Sequence, residues 1–142
     1  MSYRARNLPA ERHCFFGRKG GVSKGKYTSL NVRKMCGDIG AKVKKKKKIA
    51  VEAIGGKFEN LMVLSQQSGT SVCFAEEASI GKIAADGVVT KTPEMVLCLF
   101  TADCTPVLLA DYAHGVIAVA HAGWRGAVRG VLENTLDLMI EK

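Results

Sequence analysis

The stretch 95–122, MVLCLFTADCTPVLLADYAHGVIAVAHA, limits the folds open to this chain more than any other part. Its apolar runs at 95–102, 106–110 and 115–122 are short, rich in Val, Ile and Leu, and separated by Asp, Pro and Gly. Runs of that length and punctuation read as strands. They scarcely alternate between apolar and polar residues, so their sheet should be covered on both faces. Shorter runs at 61–65, 70–75 and 87–90 add further strands. Two helices are available as cover. One spans roughly 41–54 and stops at Gly55-Gly56. The other runs from Arg125 to the end, with Val128, Val131, Leu132, Leu136, Met139 and Ile140 in one amphipathic stripe. The expected class is α/β (α+β), with mixed sheets flanked by helices and a loop-rich first forty residues. Two helices are too few for such a sheet. The chain therefore reads as an incomplete domain that self-associates or needs a partner surface, because block 95–121 would expose apolar patches.

The 142 residues suffice for one domain and one core. The opening MSYRARNLPAERH lacks the apolar segment of a secretory signal, and no apolar run approaches a membrane span. Cysteines at 14, 36, 73, 98 and 104 are odd in number and form no CxxC. Free thiols in a reducing, cytoplasmic setting are expected, not a disulfide framework or zinc ribbon. The net charge is +8, of which five belong to the run Lys44–Lys48, leaving +3. No aromatic residue interleaves the run, so nucleic-acid stacking is not supported, and the run reads as the solvated face of a helix without a catalytic role.

Cys104 and His121 lie near strand ends beside turn residues, where polar side chains reach a cleft. Thiolate and imidazole suit zinc or copper. The spacing C-x16-H matches no compact ligand motif, so a buried cysteine and a core histidine remain the alternative. His114 lies roughly 23 Å from His121 along a regular strand, and Cys98 about 20 Å from Cys104, which removes both from a shared site. His13 stays open as a further ligand.

The segments FFGRKGGVSKGKYTSLNV (15–32), ADGVVT (85–90), TADCTPVLLAD (101–111) and GVIAVAHAGWRGAVRGVLENTL (115–136) resemble the signature blocks of the YfiH/laccase-domain family, in the family's order. The resemblance implies a purine nucleoside phosphorylase that also deaminates adenosine by metal-activated water. It implies a mixed α/β domain with one metal ion, zinc ahead of copper, held by a Q-V-H-G histidine, the TADC cysteine and the AHAGWRG histidine. Cys104 and His121 match the last two. The first motif reads Gln66-Gln67-Ser68-Gly69 here, so Ser68 stands where the histidine belongs. Purine nucleoside and phosphate are the implied ligands, with Arg18 and Arg125 as phosphate contacts. Asp103 is the candidate general acid or base, or the hydrogen-bond partner of His121. The family domain continues beyond position 142. Residues 1–142 are thus expected to be a single partial domain, weak or inactive through truncation, or complemented by a C-terminal chain. Two other classes compete with this reading. One is a metal-free enzyme in which His121 activates Cys104. The other is a non-catalytic module that binds acidic partners through its lysines. Three histidines and five cysteines cannot build a multicopper cluster.

Overall fold

The computed structural model describes residues 2–32 and 39–142; Cys36 falls outside them. Two compact units make up the chain, 1–58 and 59–142.

In the first unit, β1 (Ser2–Tyr3) pairs antiparallel with β2 (Phe15–Phe16), and α1 spans Gly40–Glu52. Gly55 ends α1 in the left-handed conformation (φ 70°), with Gly56 N–H donating to the Val51 carbonyl. Such a closure satisfies carbonyls the last turn leaves free. Val43 and Val51 face the interior. The lysine run corrects the solvated-face expectation at one position. Lys44, Lys45 and Lys48 are exposed, but Lys46 is fully buried and its Nζ donates to Ser23 Oγ at 3.0 Å. The stripe of Val43, Lys46 and Ala50 follows helical spacing, so burying Val43 carries Lys46 inward with it. His13 is buried as well. Its Nε2 accepts from Ala5 N–H at 2.7 Å and its Nδ1 donates to the Pro9 carbonyl at 2.8 Å, which leaves neither nitrogen for a metal.

The second unit holds two sheets. Strands β3 (Leu61–Ser65), β5 (Ile80–Ala84) and β7 (Val96–Cys98) form a parallel sheet in the order β5-β3-β7. Strands β4 (Val72–Phe74), β6 (Gly87–Thr90), β8 (Thr105–Asp111) and β9 (Val116–Ala122) form a mixed sheet in the order β4-β6-β9-β8. Met62, Leu64, Ala75, Val88 and Val119 make one core cluster. A second cluster, Val89, Val116 and Ala118, is covered by Leu138 and Met139. Central β9 is buried along nearly its whole length, as its non-alternating sequence predicts.

The C-terminal helix departs from expectation. It is two helices, α2 (Trp124–Val128) and α3 (Val131–Glu141), separated at Gly130, whose φ of 94° no helix interior allows. The break rotates the stripe. Val131, Thr135, Leu138 and Met139 turn inward, whereas Val128 and Ile140 are more than 80% exposed. Apolar surface therefore lies on α2 and α3, with Trp124 and Leu136 also exposed, and not mainly on the strand block. Run 95–102 also ends early, at Cys98.

Candidate active site

The β8–β9 hairpin explains how a cysteine and a histidine seventeen positions apart can meet. Its register pairs Pro106 with His121 and Thr105 with Ala122. Continued by one residue, that register sets Cys104 opposite Gly123, on the same face as His121 and diagonal to it. Cys104 therefore leads into β8; it does not end the preceding strand as the sequence suggested. Gly123 provides the room. A methyl group built there would lie 3.2 Å from Cys104 Sγ, 3.7 Å from His121 Cε1 and 3.9 Å from Ser68 Oγ. The three side chains thus surround one point, and any larger residue at 123 would intrude among them.

Ser68 reaches this point through an unusual turn. It is one of two non-glycine residues with positive φ among those described, at 57°. The conformation turns consecutive N–H groups of Gln67, Ser68 and Gly69 toward the Asp86 carboxylate, at 2.8–3.2 Å. Asp86 Oδ1 also accepts from His121 Nδ1 at 2.8 Å. Burial opposes ionisation of Asp86, but the bonds from His121, Gly69, Ser68 and Gln67 outweigh it and hold the carboxyl below the ordinary aspartate range. Its stabilising contribution is therefore present above the unfolded aspartate value of about 3.9 and lost as pH falls through the lower folded value.

The carboxylate bonded to His121 is thus Asp86, not Asp103. Asp103 is exposed in the bend before β8, and no bond joins it to His121. Asp86 lies in the bend between Ala85 and Gly87, just before β6, so in sequence it reads as a turn residue. The signal that could have found it is the need of a buried histidine for an orienting carboxylate. His114 sits in the β8–β9 turn, 2.8 Å from Asp111, away from the site as expected. Arg125 is exposed at the start of α2, its guanidinium 5.2 Å from the Trp124 ring centroid. Arg18 belongs to the first unit, where it lines a cavity of about 330 Å³ with Lys19, Lys26 and Ser29.

Two further contacts fix the frame. Gln66 bridges to Phe100 with both ends of its amide, Nε2 to the carbonyl and Oε1 from the N–H, each at 2.9 Å. Gly126 packs on the turn so closely that an added methyl would come within 2.6 Å of the Gly69 carbonyl oxygen. Gly126→Ala should therefore destabilise the second unit by about 1–3 kcal/mol, as measured by denaturant unfolding.

The donor set decides the fit to a metal. Cys104 Sγ and His121 Nε2 suit zinc, but the third corner offers a neutral hydroxyl, and catalytic zinc sites use three protein ligands. Among the described residues, no group of three or more His, Cys, Asp or Glu side chains could hold a metal. The residues present do not complete the zinc site that the sequence led one to expect.

The family model described as multi-copper polyphenol oxidoreductase laccase matches residues 12–142. The chain belongs to this family. A purine nucleoside phosphorylase of Deinococcus radiodurans is 38% identical over 137 residues, covering 96% of this chain and 53% of that protein. One of Bacteroides thetaiotaomicron is 34% identical over 139 residues, covering 92% and 51%. A crystal structure of a Neisseria meningitidis protein shares 40% identity with a TM-score of 0.79, over 89% of this chain and 51% of that one. YfiH of Bacillus licheniformis gives 26% and 0.81, over 87% and 49%. The mixed α/β class is thus the family's own, and the chain spans about half the length of the relatives it matches.

Proposed function

We propose that residues 1–142 are part of one family domain that acts in phosphorolysis of purine nucleosides, inosine and adenosine. The observation that carries this reading is the convergence of Ser68, Cys104 and His121 on Gly123 over a buried Asp86, in a chain whose relatives include proteins named purine nucleoside phosphorylase. In phosphorolysis a phosphate oxygen bonds to ribose C1′ as the C1′–N9 bond breaks. The electron pair leaves with the purine, which takes up a proton. His121, held by Asp86 through Nδ1, has Nε2 left to exchange that proton, and Cys104 lines the same point. Asp103 is a second proton-transfer candidate at the mouth of the bend. Arg125 offers a bidentate guanidinium to phosphate, and Arg18 offers another in its own cationic cavity.

Zinc, or less favourably copper, would meet only Cys104 and His121 as good ligands. Adenosine deamination by metal-activated water therefore finds an incomplete donor set. No helix among the described residues is long and apolar enough to cross a membrane.

The test is base release from inosine and adenosine with and without phosphate, for the chain alone and mixed with a polypeptide matching the remaining half of a relative. Phosphate-dependent release of hypoxanthine or adenine, lost in His121→Ala, is expected. No release in either mixture, or release independent of phosphate, would overturn the reading. Conversion of adenosine to inosine without phosphate is scored separately and reports deamination. The competing cysteine-nucleophile reading has less support, because among the described residues no hydrogen bond joins Cys104 to His121.

A further inference from the structure

We infer that Asp86 is a positioning residue that acts as the internal anion of a backbone nest, fixing with one carboxylate both the 66–69 turn and the imidazole of His121. Successive N–H groups in a turn that includes a left-handed residue form a concavity that binds anions. Here Gln67, Ser68 and Gly69 supply those groups, Ser68 supplies the left-handed conformation, and the anion is a side chain from the bend just before β6. Asp86 is fully buried, so no water competes for these bonds. Its Oδ1 accepts a hydrogen bond from His121 Nδ1–H, which in the neutral ring leaves the Nε2 lone pair free. One carboxylate therefore decides two things at once: which nitrogen of His121 is bare, and whether Ser68 holds its strained backbone beside it. The two corners of the site are not independently placed. Removing Asp86 should release them together, and a small carboxylate entering the vacated space should restore them together.

The inference does not depend on phosphorolysis, since its readouts are a tautomer and a melting temperature. Nitrogen-15 spectra of the histidine side chains, with His121 identified by its substitution, should show the native ring protonated at Nδ1. In Asp86→Ala that ring should become a mixture of tautomers, and the melting temperature should fall by roughly 10 °C or more. Sodium formate, against chloride at equal ionic strength, should restore both in a saturable way while leaving the native chain unchanged. Asp86→Ala with an unaltered His121 tautomer and melting temperature would overturn the inference, as would formate restoring neither in a folded variant. Should Asp86→Ala not fold, Asp86→Asn decides. Its carbonyl can still accept from His121, but its amide cannot satisfy the nest, so it should keep the tautomer and lose melting temperature. An Asn variant as stable as the native chain would sink the inference.

Discussion

Ser68→His is expected to raise zinc affinity of the chain by about 10- to 100-fold or more, the range found for changes that only orient a ligand. The backbone at 68 is already suited to the replacement. Its φ of 57° is a conformation that histidine adopts more readily than most residues. The hydrogen bond that its backbone N–H donates to Asp86 Oδ1 involves no atom of the Ser68 side chain and should survive the change. The new imidazole would join Cys104 and His121 and complete three protein ligands with an open fourth position. Competition against a chelator measures the gain, and a zinc-dependent rise in melting temperature should accompany it. Cys104→Ala in the same background should abolish the gain. Unchanged affinity in Ser68→His, or a gain that outlasts Cys104→Ala, would refute the three-corner geometry.

Gly21→Ala should be the most destabilising single substitution in the first unit, by about 3 kcal/mol or more. A methyl group at 21 would sit 1.9 Å from the Ser29 carbonyl oxygen and 2.5 Å from Leu30 Cα. These are backbone atoms and cannot swing aside as a side chain can. Relieving the overlap means parting the strands of the loop that Ser29 and Leu30 close by donating to the Arg18 carbonyl, at 2.9 and 2.7 Å. Gly20, one position earlier, has open space around it, but its φ of 93° makes any side chain strained there. Urea unfolding followed in the first unit, for instance by a probe on α1, should show the large shift for Gly21→Ala. Equal stability of the variant and the native chain would mean that the 18–30 loop is not packed as described.

Much of the second unit could be read directly from its sequence, and the failures have physical causes. Strands at 61–65 and 87–90 fall where their apolar runs do, because both are buried on each face and nothing polar interrupts them. Strand β5, IGKIA, is mostly exposed and carries a glycine and a lysine, so it gives no apolar signal although it pairs with β3. The C-terminal stripe looked continuous because periodicity is blind to a single left-handed glycine. Cys104 and His121 were legible as a pair through the family blocks. Their meeting could not be read from spacing, because it depends on hairpin register. Asp86 was missed for a related reason: apart from His121, its partners are the backbone N–H groups of Gln67, Ser68 and Gly69, which leave no mark in a sequence.

Gln66 acts as a stand-in for a piece of backbone. Its amide bonds the Phe100 backbone as another peptide group would, so the turn bearing Ser68 and the segment leading to Cys104 are laced together past the ends of β3 and β7. The side chain thus adds one more rung to a parallel ladder whose strands have already ended, and the spacing of the two segments rests on a pair of hydrogen bonds that a single substitution at 66 would remove together.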